Sequence, residues 1–141
     1  RLENHAPVRS ISLPGRVTLE SERPVEVLVP SYQGALFRHT GAAWQKRVGR
    51  GGHGAASMGM AGYPGGDAAL LITPDELVDW SLTYGDAPGG AFAYFDATPC
   101  DVDGWRHATV RLCPCAPTVT AVAKRYRAFA QDLRLSTRTI D

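Results

Sequence analysis

The chain has 141 residues, 44% of them apolar and 21% charged, with 15 Lys+Arg against 14 Asp+Glu. That composition fits one globular domain of ordinary size and excludes a disordered segment or a fibre. A net charge of +1 argues against a protein devoted to neutralising phosphates, and no apolar run approaches the roughly 18–20 residues of a membrane span.

A chain opening at Arg1 reads as processed or trimmed. Residues 1–24 read as an extended arm with one short apolar alternation, Val8, Ile11, Leu13, Val17 and Leu19. Val25–Val29 is the clearest strand, β-branched and bounded by Pro24 and Pro30. Ala35–Arg38 reads as a second strand and Trp44–Val48 as its hairpin partner across Thr40-Gly41. Residues 49–67 hold eight glycines. Such a stretch loses much backbone entropy on ordering and has little to bury, so it reads as a long surface loop.

Ala68–Ile72 is expected to form a short buried strand. Thr73-Pro74-Asp75-Glu76 combines a hydroxyl cap, a first-turn proline and two acids. It predicts a helix continued by Leu77, Trp80 and Tyr84 and stopped by Gly85. Ala91–Asp96 and Ala108–Leu112 read as strands, with a turn at Asp103-Gly104. Val119, Val122, Tyr126, Phe129 and Leu133 recur at helical spacing after Thr118, which predicts an amphipathic helix. The expected total is four to six strands and one or two helices in a single domain, residues 1–141.

Four constellations bear on chemistry. Cys100, His107, Cys113 and Cys115 are zinc-ligand types within 16 residues. Structural zinc turns place two to four residues between ligand pairs, whereas Cys113-Pro114-Cys115 has a single proline there, so reduced structural thiols are the favoured reading and no metal is expected. A catalytic set would join Cys100 or a serine to His39, His53 or His107; no nucleophile elbow is present, and no catalytic residue is assigned. The glycine runs at Gly49–Gly52 and Gly62–Gly66 match neither a P-loop nor a dinucleotide fingerprint, and no cofactor is expected. Arg38, Lys46, Arg47 and Arg50 beside Trp44 form a basic-aromatic stretch of the kind that binds single-stranded nucleic acid. On a near-neutral domain it reads first as solvated surface.

Arg23-Pro24-Val25-Glu26-Val27-Leu28-Val29-Pro30-Ser31-Tyr32 resembles a segment of picorna-like virus capsid proteins, a strand ending in Val-Pro and an aromatic before the large loop that joins the last jelly-roll strands. Gly90–Phe95 is similar to a later strand of that family, and Lys124–Leu135 matches in position its basic-aromatic closing strand. These segments cover about 30 residues of short, degenerate motif, and two departures stand out: the closing segment has helical periodicity, and the chain is shorter than an eight-stranded jelly roll.

The resemblance implies a mainly β fold, an antiparallel jelly-roll-like sandwich with one or two short helices. It also implies a structural role as subunit or subunit fragment of a viral capsid. In that setting the chain works through contacts with other protein subunits, in the virion or host cytoplasm. Trp44, Tyr63 and Trp105 are then the candidate interface anchors. The alternative is an α+β single domain, an enzyme or ligand-binding module with a site near Asp101 and His107 under the glycine-rich segment. The third is a nucleic-acid module using Arg38–Arg50.

Overall fold

The structure is a computed structural model. It describes residues 11–17, 25–31, 34–49, 58–74, 80–97, 100–102, 105–107 and 109–132. Two antiparallel sheets face each other. One has four strands: β1 (Ile11–Val17), β8 (Gly90–Ala97), β7 (Trp80–Ala87) and β4 (Trp44–Gly49), in that spatial order. The other has five: β11 (Val110–Cys115), β6 (Ala69–Pro74), β5 (Ala61–Tyr63), β2 (Glu26–Val29) and β3 (Ala35–Arg38). A separate hairpin pairs β9 (Cys100–Val102) with β10 (Trp105–His107). The one helix among the described residues, α1, spans Val119–Asp132. The chain is therefore a mainly β sandwich, and its described residues hold eleven strands and one helix where four to six strands and one or two helices were expected.

The core follows from period-two alternation. Val27 and Val29 of β2, Ala61 and Tyr63 of β5 and Ile72 of β6 point inward. They meet Val48 of β4, Trp80, Leu82 and Tyr84 of β7, and Ala93 and Phe95 of β8. Tyr63 spans the two sheets. Its hydroxyl accepts the Ala93 N–H at 2.7 Å and lies 3.1 Å from the carbonyls of Val17 and Ala93, to one of which it donates. Burial pushes this phenol above its ordinary pKa, and the Ala93 bond acts in the opposite direction.

Helix α1 packs on the outer face of the five-stranded sheet, where Val122 joins Met60, Ala69 and Leu71, with Leu28, Cys113, Cys115 and Tyr126 around them. The register lines up Leu36, Leu28, Gly62, Leu71 and Cys113 in one row across all five strands. The middle of that row is a glycine: a Cβ on Gly62 would sit 2.6 Å from Val122 Cγ1. The helix start is capped as the sequence implies, with Thr118 Oγ1 accepting the Ala121 N–H at 3.1 Å.

Four expectations are corrected. Trp80–Ala87 is a strand, not part of a helix: Trp80, Leu82 and Tyr84 alternate onto the core, and pairing with both β4 and β8 outweighs the helix-start signal at Thr73-Pro74. Gly85 is no helix stop. It lies within β7 where a Cβ would fall 2.2 Å from the Trp44 carbonyl oxygen and 2.8 Å from Gln45 Cα, so only glycine permits the close approach of β4.

The 49–67 stretch is not wholly a surface loop. Residues 50–57 lie outside the described ones, but Met60, Ala61 and Tyr63 are buried, and β5 is the middle strand of its sheet. Its small residues are what let a helix rest on it. Finally, Ala35–Arg38 and Trp44–Val48 are both strands but do not form a hairpin: β3 pairs with β2, and β4 crosses to β7 in the other sheet. Of the expected arm, residues 11–17 form β1, paired with β8, and residues 1–10 and 18–24 lie outside the described ones.

Candidate interaction surface

A sandwich has four sheet edges, and each exposes unpaired backbone groups unless something guards it. Three of the edges carry a proline or two cations in their sequence, and the fourth a single cation, Arg38, which is tied to Glu26. Strand β1 contains Pro14, β11 contains Pro114, and β4 carries Lys46 and Arg47. Strand β3, with sequence Ala-Leu-Phe-Arg, has no proline and ends its sheet. Leu36 on its outer face is 46% exposed, opposite Leu28, and the next outward pair is Glu26 and Arg38, joined at 2.6 Å.

On the inner side of the same end, Phe37 fills the gap between the sheets with Trp44 and Tyr84. Phe37 lies 5.1 Å from Trp44 and 5.7 Å from Tyr84 between ring centroids, and Trp44 meets Tyr84 edge-on at 6.1 Å. Trp44 is the outermost ring, 38% exposed. The β3–β4 end thus presents an apolar rim, Leu36 and Trp44, on either side of a strand that has no second partner among the described residues.

The connection between these strands is fixed by a buried carboxylate. Asp86, at the inward-facing end of β7, accepts Thr40 N–H at 2.7 Å, Thr40 Oγ1 at 3.0 Å and Gly41 N–H at 3.1 Å on one oxygen. Its other oxygen pairs with His39 Nδ1 at 2.5 Å and accepts Ala87 N–H at 3.1 Å. The Asp86 side chain is fully buried, whereas His39 stays 44% exposed. Burial pushes the Asp86 carboxyl up, but the hydrogen bonds from His39 and Thr40, together with the His39 charge, outweigh it and hold the pKa at about 2. Geometrically this is a carboxylate–imidazole pair. With both carboxylate oxygens taken up by backbone and hydroxyl donors, its work is to hold residues 39–41 over the end of the core.

The outer face of the four-stranded sheet carries a polar network beside a buried aromatic ring, Phe92. Ser12 Oγ donates to Asp96 at 2.5 Å, Thr83 Oγ1 donates to the other Asp96 oxygen at 3.3 Å, and Arg47 Nε donates to Ser81 Oγ at 2.7 Å while lying 3.7 Å from Asp96. Beside this network Phe92 and Tyr94 stack with centroids 6.1 Å apart.

The sequence-derived residues sort as follows. Trp44 lies on the exposed rim, as an interface anchor requires. Tyr63 is wholly buried between the sheets and anchors the fold, so its candidacy for an interface falls. Trp105 lies on β10, and its side chain lies outside the described residues. The basic stretch does not form one patch. Arg38 is on the outer face of the five-stranded sheet, paired with Glu26, whereas Arg47 is on the outer face of the other sheet beside Asp96. Lys46 faces the opposite side of β4 from Arg47, and Arg50 lies outside the described residues.

Of the zinc-ligand types, Cys100 and His107 stand opposite each other in the β9–β10 register, and Asp101 stands opposite Arg106; their side chains lie outside the described residues. Cys113 and Cys115 share the helix-facing side of β11 as free thiols. Among the described residues no group of three or more His, Cys, Asp or Glu is arranged to hold a metal ion. No described helix is long and apolar enough to cross a membrane.

Sequence reasoning missed Asp86. Its signal was an acid at an inward, even position of an alternating strand, Trp80-Leu82-Tyr84-Asp86, visible only once the segment is read as β. No protein-family model matches this chain, and neither a curated protein nor a solved structure matches it.

Proposed function

We propose that this chain is a non-enzymatic subunit of a protein assembly that acts through subunit–subunit contacts, the role implied by its resemblance to picorna-like capsid proteins. The observation that carries the reading is the β3 end of the sandwich: an edge strand without a proline, exposed Leu36 on one side and exposed Trp44 on the other. Such an edge offers main-chain pairing and apolar burial to a neighbouring chain. Two of the three segments that carry the resemblance are strands of the sandwich, Val25–Val29 within and beside β2 and Gly90–Phe95 within β8. The third departs from it, because the residues matched to a closing strand belong largely to α1. A jelly roll closed in the capsid manner would therefore take that last strand from elsewhere, and a strand added at β3 is consistent with such completion.

The test is light scattering after size exclusion over a range of concentrations, with Leu36→Lys as the comparison. Leu36 is half exposed, so the lysine leaves the fold intact, as circular dichroism verifies. The expected result is association of the parent chain, lost in the variant. A parent chain that stays a folded monomer at every concentration overturns the proposal.

A further inference from the structure

The outward row of the five-stranded sheet ends in Cys113, and Cys115 stands two residues further along the same strand, opposite Ala69. Cys113 and Cys115 alternate around Pro114 on the edge strand β11, both half-buried, both free, and both packed on the Met60–Ala69–Leu71–Val122 cluster beneath α1. Pairing opposite Leu71 and Ala69 places them on the same side of the strand. Two residues apart on one strand, their α-carbons stand roughly 7 Å from each other, at or beyond the usual reach of a disulfide. A strand held in register by β6 resists the shortening that an S–S bond would need. A bridging atom larger than sulfur's own bond spans the pair more readily.

We propose that Cys113 and Cys115 form a two-thiolate site for a soft monovalent metal ion, Cu(I) being the first-row ion that such ligands select. Binding replaces two S–H bonds with two metal–sulfur bonds and releases two protons, leaving a bis-thiolate complex with one negative charge and no change of oxidation state. Arg125 lies on α1, the helix that packs over this face of β11, and brings a positive charge to that side of the sheet. The third cysteine, Cys100, belongs to the β9–β10 hairpin, and its side chain lies outside the described residues.

The experiment is anaerobic titration of the reduced chain with Cu(I) against a chromophoric Cu(I) chelator, on the parent and on Cys113→Ser, Cys115→Ser, Cys100→Ser and Arg125→Ala. The expected result is one Cu(I) per chain in the parent. Each of the Cys113 and Cys115 variants loses more than the roughly 100-fold that changes beyond the ligand shell reach, and Arg125→Ala loses about tenfold. Cys100→Ser binds as the parent does. A rise in the parent's melting temperature on adding Cu(I) gives a second readout that needs no variant. Undiminished affinity in both Cys113→Ser and Cys115→Ser, or a loss in Cys100→Ser equal to theirs, overturns the assignment.

Discussion

Two glycines separate two kinds of seam in this molecule. Gly85 lies where β4 runs against β7, and a methyl group there would strike backbone, the Trp44 carbonyl and the Gln45 Cα. Gly62 lies where α1 rests on β5, and a methyl group there would strike the tip of one side chain, Val122 Cγ1. Backbone in a sheet cannot yield without breaking its ladder, whereas a helix resting on a sheet can lift or slide. The first seam is therefore part of the sandwich itself, and the second is a docking contact laid over a finished sheet. The same residue type, read off the sequence as loop or helix stop, serves both.

Substitutions at the two positions test that contrast directly. Gly85→Ala is expected to have the largest effect, a loss on the order of 4 kcal/mol or an unfolded chain, since neither neighbour can move aside; chemical denaturation measures it. If the loss is small, β4 is not tightly seated. Gly62→Val should cost about 1–3 kcal/mol by overpacking. Its signature is local: amide exchange rises across α1 while β2, β5 and β6 stay protected. Uniform exposure of the sheet would instead mean that the helix is integral to the sandwich.

Tyr63→Phe tests the link between the sheets. It leaves the buried Ala93 N–H without its 2.7 Å acceptor, and a loss of about 1–3 kcal/mol is expected. Acid is a finer probe of the end held by Asp86. Its carboxyl titrates near 2 in the folded chain against an ordinary value of 3.8. A depressed carboxylate pKa contributes stability that is full above the unfolded value and is lost as pH falls through the folded one. The parent should therefore lose stability between pH 3.8 and about 2, and Asp86→Asn should flatten that part of a thermal-melt profile recorded against pH. The smallest effect belongs to Arg47→Ala on the solvent side of the four-stranded sheet, under about 1 kcal/mol and screened by salt.

Several elements were legible without coordinates because their signals are local. Of the β-branched run at Val25–Val29 between prolines, Glu26–Val29 became β2 and Val25 an isolated bridge to Gly65. The spacing of Val119, Val122, Tyr126 and Phe129 behind Thr118 became α1, with the cap in place. The turn expected at Asp103-Gly104 falls on residues outside the described ones. The candidate surface was legible only in Trp44. Leu36, Asp86 and the pairing of His39 with Asp86 depend on strands far apart in the chain meeting, which no local window records.

What the sequence determined by itself was local punctuation and charge: a near-neutral domain with a proline-bounded strand at Val25–Val29 and a capped amphipathic helix from Val119. Alternation, β-branching and caps act over a few residues and need no partner to be recognised. The tertiary structure alone decided that Trp80–Ala87 is a strand, that a glycine-rich stretch supplies a central one, and that β3 and β4 part to different sheets. Those outcomes follow from long-range pairing and from the space each neighbour leaves. A strand between two others gains a ladder on both sides, and that gain outweighs the preference of its own residues.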